Sequence, residues 1–144
     1  MREITTDEVS RLLPCLEALA QHHNEVSVHF RGAYPAHAYA DVLAEFAQLL
    51  RAGSSKIAVV EQGADIVGFC KIDLRPATKL SHLVVLKGQR GKGYGAKLMD
   101  WAMAQFKRAG CRQIELKVVA GNPAIGLYER YGFQTSAYIM WRRD

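Results

Sequence analysis

The run Arg90-Gly91-Lys92-Gly93-Tyr94-Gly95 has the residue types of an anion site. Glycine lets a backbone turn sharply and approach a ligand closely, because no Cβ intervenes. Arg90 and Lys92 bring positive charge. An apolar stretch at 79–86 precedes the run, and an amphipathic stretch at 93–109 follows it. The first turn of such a helix leaves amide N–H groups without partners, and the helix dipole adds partial positive charge there. That combination suits a pyrophosphate. A glycine-rich turn with no ligand is the plainer alternative.

Three other phosphate loops are excluded by spacing. The pattern GxxxxGK[ST] fails because Tyr94 stands where lysine is required, although Gly88 and Gly93 have the glycine spacing. A dinucleotide fingerprint would need Ala96 in place of its last glycine, early in the chain, with an acid closing the next strand. A kinase glycine loop would need a much longer chain behind it.

The elements that position this loop follow from periodicity. Residues 4–5 read as a short strand. Thr6 or Asp7 caps a helix carrying Val9, Leu12, Leu13, Leu16 and Leu19, with Pro14 obscuring its first turn. Residues 26–35 read as an irregular connection, and 36–51 as a second helix. Then the period changes. Residues 56–61 and 66–74 form a hairpin, and 79–86 is a strand covered on both faces. After the glycine loop and its helix come a strand at 112–119, a short helix at 123–131 and a final strand at 133–141. A right-handed parallel crossover around the loop, added to an antiparallel hairpin, implies a mixed α/β sheet with helices on both faces.

Composition agrees with one domain over 1–144. The chain has 144 residues, 49% hydrophobic and 23% charged, which excludes a largely disordered protein. No apolar run reaches the ~18 residues of a membrane span. The acidic N-terminal residues Glu3, Asp7 and Glu8 argue against a signal peptide. Cys15, Cys70 and Cys111 match neither a disulfide framework nor a metal knuckle, so a cytoplasmic protein without a metal is expected. The net charge of +5 fits either a solvated surface or a polyanionic ligand. Its tightest cluster is interleaved with glycine, which favours a phosphate-bearing ligand over nucleic acid.

At this point two blocks resemble the GNAT N-acetyltransferase superfamily. Residues 83–99 are similar to its acetyl-CoA signature [RQ]-x-x-G-x-[GA], with Arg90, Gly93 and Gly95 in the key positions. Residues 124–133 (Ala-Ile-Gly-Leu-Tyr-Glu-Arg-Tyr-Gly-Phe) resemble the second block, A-I-x-L-Y-E-x-x-G-F. The resemblance implies a central mixed sheet of six to seven strands with a splayed parallel pair, 79–86 and 112–119. It implies acetyl-CoA in the gap between them. Pantetheine would pair with backbone groups of Leu83, Val84 and Val85. The pyrophosphate would sit on Arg90, Gly91, Lys92, Gly93, Tyr94 and Gly95. An amide near Leu83 would polarise the thioester carbonyl.

The same resemblance gives Tyr128 the role of general acid toward the departing thiolate. The general base departs from a common pattern, since Ser81 stands where many members carry Glu, Asp or His. Ser81 acting through a relayed water is preferred, and His82, Glu61, Asp73, His22, His23 and His29 remain alternatives. His82 lies on the opposite strand face from Ser81 and is expected to pack. Asn122 sits two residues before Ala124 rather than three, so it either binds the cofactor arm or caps the short helix. The expected reaction is acetyl transfer to the amine of a small molecule or peptide. A CoA-binding sensor of the same fold and a nucleic-acid binder are the competing classes. Tyr34, Tyr39, His29 and Phe30 would line the acceptor side. Tyr138, Met140 and Trp141 on the final strand would supply a homodimer edge.

Overall fold

The computed structural model describes residues 1–144. Alternation in the central strands explains the layering. β1 (Arg2–Glu3), β2 (Ser55–Gln62), β3 (Asp65–Asp73) and β4 (Lys79–Val85) form one antiparallel sheet in the order β1-β2-β3-β4. Successive side chains of a strand point to opposite faces. In β2, Ile57 and Val59 enter one core, while Ala58 and Val60 enter the other. Helices α1 (Leu13–Val26) and α2 (Tyr39–Arg51) cover the first face through Cys15, Leu16 and Phe46. Helix α3 (Tyr94–Arg108) covers the second through Leu98, Met99, Ala102 and Phe106. Each fully buried large apolar side chain, such as Phe69 or Phe106, contributes roughly 1.5–3 kcal/mol.

Pro14 decides how the first helix begins. Proline lacks an N–H and its ring clashes with the preceding turn, so it is tolerated only at a helix start. Residues Thr6–Leu12 accordingly wind as a 3-10 helix, and the α-helix starts at Leu13 with Pro14 in its first turn. Thr5 and Glu8 cap the entry, with the Thr5 N–H donating to Glu8 Oε2 at 3.1 Å.

Two expected strands are not strands. Residues 112–119 meet the sheet at one parallel bridge, Lys79 with Glu115. Leu80 N–H donates to Glu115 O at 2.9 Å, and Glu115 N–H donates to Thr78 O at 3.1 Å. Past that point no backbone bond joins 116–119 to β4. Residues 134–144 make no backbone hydrogen bond at all, and their packing against the rest of the chain includes Trp141 and Arg143 on the Phe30 ring. Tyr138, Ile139, Met140 and Trp141 are exposed. The sheet therefore has four strands rather than six or seven, and the parallel pairing is reduced to that bridge.

Gly121 fixes the far end of the segment after that bridge. It has φ +98°, and a Cβ there would sit 2.2 Å from Val26 O. Gly63, at φ +59° in the β2–β3 turn, has nothing near its Cβ position. Gly121→Ala should lower the unfolding free energy by at least about 3 kcal/mol, against about 1 kcal/mol for Gly63→Ala, where only the backbone conformation is penalised. Urea denaturation of the two variants checks this, and equal losses would show that the contact with Val26 O is not tight.

Candidate functional site

The cleft begins with backbone groups left over by the fold. Leu86 N–H donates to Val67 O at 2.9 Å, so Leu86 faces β3. Antiparallel alternation then turns the amides of Val84 and His82 to β3, and those of Leu83 and Val85 to the free edge. Val85 O on that edge accepts from Arg90 Nε at 3.2 Å. Val84 places its side chain in the first core. Between this edge and Lys117 and Val118 opens a cavity of about 310 Å³.

At one end of the cavity lies the glycine loop. Gly91 and Gly93 have φ +80° and +81°, and nothing lies within 4 Å of either Cβ position. The first amide after the loop that bonds is Lys97, to Gly93 O at 3.1 Å. The N–H groups of residues 90–96 donate to no protein acceptor. An unpaired amide is tolerable only in contact with solvent or a ligand. Arg90, Gly91, Gly93, Tyr94 and Gly95 line the cavity, whereas Lys92 turns away, its Nζ 2.9 Å from Gln89 Oε1.

Tyr128, on helix α4 (Ile125–Arg130), is buried against Phe133 and also lines the cavity. Its hydroxyl has no protein partner, and no buried side-chain oxygen or nitrogen lacks one, so the hydroxyl touches the open cleft. Burial, with the nearby Cys70, pushes its pKa up to about 12. The phenol therefore keeps its proton across the physiological range. Asn122 Oδ1 accepts from the Ala124 N–H at 3.0 Å, which caps the turn into α4, and lies 3.2 Å from His22 Nε2. Asn122 also lines the cavity, so the cap and a ligand contact are compatible.

Ser81 lines the same cavity and belongs to a buried chain of polar groups. Its Oγ lies 2.7 Å from His82 Nδ1 and 3.3 Å from Lys71 Nζ. Lys71 is buried and is paired with Asp73 at 2.5 Å. Its ammonium also lies 4.9 Å from the centre of the Phe46 ring. The sequence reading missed Lys71, although a lysine inside the run Gly-Phe-Cys-Lys-Ile is a visible sign of a buried charge.

The other base candidates separate by position. Glu61 is held by Arg2 and Arg11 at 2.8 and 2.9 Å and lines no part of the cleft. Asp73 is occupied by Lys71 and by Ser55, whose hydroxyl donates at 2.6 Å. His29 lies outside the cleft, while His22 and His23 line it. His82 does pack, its ring 4.9 Å from Phe46 and 6.1 Å from Phe69. The same ring also borders the cleft and a second cavity of about 180 Å³, and His23 borders both as well. Burial and the adjacent Lys71 push the His82 pKa down to about 4, against an opposing pull from Asp73. Burial and then His22 lower that of His23.

No group of three or more His, Cys, Asp or Glu side chains is placed to hold a metal, and no helix is long and apolar enough to cross a membrane. Residues 17–133 match the acetyltransferase (GNAT) family. No curated protein matches the chain in sequence. Among solved structures, a GCN5-related N-acetyltransferase from Ralstonia eutropha JMP134 is 18% identical, with a TM-score of 0.78 over 99% of this chain and 96% of that one. A predicted acetyltransferase with acetyl-CoA from Clostridium acetobutylicum is 16% identical, with a TM-score of 0.75 over 99% and 94%. AAC(6')-Iy in complex with the bisubstrate analogue CoA-S-monomethyl-acetylneamine is 16% identical, with a TM-score of 0.73 over 99% and 95%. At these identities the likeness is one of fold.

The depressed His82 pKa makes stability depend on pH. The unfolded chain, with an ordinary histidine pKa near 6.5, binds the proton first as pH falls. The contribution is present above about pH 6.5 and is lost as pH falls toward 4, amounting to on the order of 3 kcal/mol. His82→Gln should flatten the loss of urea-denaturation stability between those pH values. An unchanged slope would mean that His82 is not held neutral.

Proposed function

The chain belongs to the acetyltransferase (GNAT) family, and from that premise we propose that it moves an acetyl group from acetyl-CoA to a primary amine by direct attack. One observation carries this reading: the unpaired amides of residues 90–96 stand at the N-terminus of a 15-residue helix, beside a strand edge with free amides of its own. A pyrophosphate matches the first set and the amides of pantetheine match the second. Arg90, Gly91, Gly93, Tyr94 and Gly95 would hold the diphosphate. Lys92, turned toward Gln89, would add only longer-range charge. Leu83 and Val85 would pair with pantetheine, and Val84 would support the strand from the core. Asn122 would use its free amide nitrogen toward the cofactor arm.

Supplied with acetyl-CoA, the site holds an activated thioester. The amine nitrogen forms a bond to the carbonyl carbon, the carbon–sulfur bond breaks, and the products are an amide and a thiol. The Leu83 N–H is oriented to stabilise the oxygen that gains charge. Tyr128, protonated at neutral pH, donates to the leaving sulfur and is reprotonated from solvent. The proton lost by the amine passes to water held by Ser81, with the His82 ring 2.7 Å behind it.

We include a homodimer in this proposal. Residues 134–144 present exposed Tyr138, Ile139, Met140 and Trp141, an apolar surface that a second copy would cover. A cytoplasmic location stays with the proposal, on the strength of three unpaired cysteines.

Calorimetry should detect acetyl-CoA binding at tens of micromolar or tighter. Tyr128→Phe should lower kcat about 100-fold while leaving the acetyl-CoA Kd within about threefold. Unchanged kcat would remove Tyr128 from the acid role. Sedimentation should give a dimer that Met140→Lys converts to monomer, and a wild-type monomer would contradict the assembly.

A further inference from the structure

The second cavity is not required to hold acetyl-CoA, yet it opens onto the same place. It lies between α1, the segment 34–39, α2 and β4, and it shares Leu19, His23 and His82 with the cleft. Its remaining walls include Leu16, Val42, Tyr34 and Tyr39, with His37 as a further polar group. No aspartate or glutamate lines either cavity.

We propose that this cavity receives the apolar group of a singly charged primary amine, an arylalkyl or alkyl amine, and discriminates against polycationic amines. The inference rests on the acetyl-transfer reading and names its acceptor class. Size supports it: a space of about 150 Å³ holds a benzene ring, and this cavity, open on one side and lined mainly by apolar side chains, measures about 180 Å³. The mouth shared with the cleft would then leave a short amine arm beside His23 and His82, facing the thioester position.

The charge pattern excludes the alternatives. An amine with several ammonium groups must exchange its hydration for carboxylates, and none is available. Burial against apolar walls disfavours a single ammonium, which gives up its proton to solvent water at the mouth, and the neutral amine so formed attacks. Neutral imidazoles at His23 and His82 then accept the amine's hydrogen bonds. A strong base becomes unnecessary, which fits Ser81 at a position where a carboxylate would otherwise be expected.

The test is a rate comparison by thiol release, using 2-phenylethylamine and hexylamine against spermidine and kanamycin. kcat/KM for 2-phenylethylamine should exceed that for either polycation by about 10- to 100-fold, the gain expected from burying one ring. Val42→Asp, which adds a carboxylate to the cavity wall, should narrow or reverse that ratio, with unchanged acetyl-CoA affinity reporting an intact fold. Two binding readouts separate the possible failures. Acetyl-CoA calorimetry tests the transfer reading alone. Imidazole NMR shifts of His23 and His82 on adding 2-phenylethylamine test the cavity alone. Faster turnover of spermidine or kanamycin, or unmoved imidazoles at millimolar 2-phenylethylamine, overturns the inference even where acetyl-CoA binds.

Discussion

Backbone amides must be satisfied, and in this chain a continuous run of them, residues 90–96, is satisfied by nothing in the protein. The rest of the architecture keeps that run in place. β4 ends against the second core and delivers the chain into the loop. Two glycines at positive φ turn it, and α3 anchors the exit by burying Leu98, Met99, Ala102 and Phe106. Core packing on both sides of the loop thus holds open a conformation that the loop itself would gain nothing from.

The gap beside the loop has a similarly simple origin. One parallel bridge pins residues 112–119 to the start of β4, and no backbone bond continues the ladder. At the far end, Gly121 is pressed onto the last turn of α1, and Val28 N–H donates to Ala120 O at 3.1 Å. Held at both ends, the segment cannot close onto the free edge of β4. This brings α1, with His22 and His23, to one wall of the cleft and α4, with Tyr128, to another. Residues a hundred positions apart in sequence, His22 and Asn122, then touch.

The sequence made the helices and the hairpin legible because a period of 3.6 or 2 is a local property. Observed helices lie within three residues of their expected starts once the Pro14 effect is taken into account. The strands expected at 112–119 and 133–141 did not form, because pairing belongs to a neighbour: the first segment makes a single bridge and the second makes no backbone hydrogen bond beyond Phe133. The glycine loop was legible for the same local reason, as was the capping role of Asn122. The place of His82 was not. Strand alternation put its ring opposite to Ser81, yet Nδ1 lies 2.7 Å from Ser81 Oγ while the ring edges two cavities, and those cavities are formed by segments distant in sequence. Lys71 was overlooked because its neighbours read as core.

The central claim is that the amides of residues 90–96 are unpaired in order to bind a diphosphate. Amide NMR on the labelled protein, titrated with acetyl-CoA, addresses them one by one. The account predicts that the Gly91, Gly93 and Gly95 resonances move furthest downfield and that their hydrogen exchange slows. Binding that leaves those three amides where they were would contradict it.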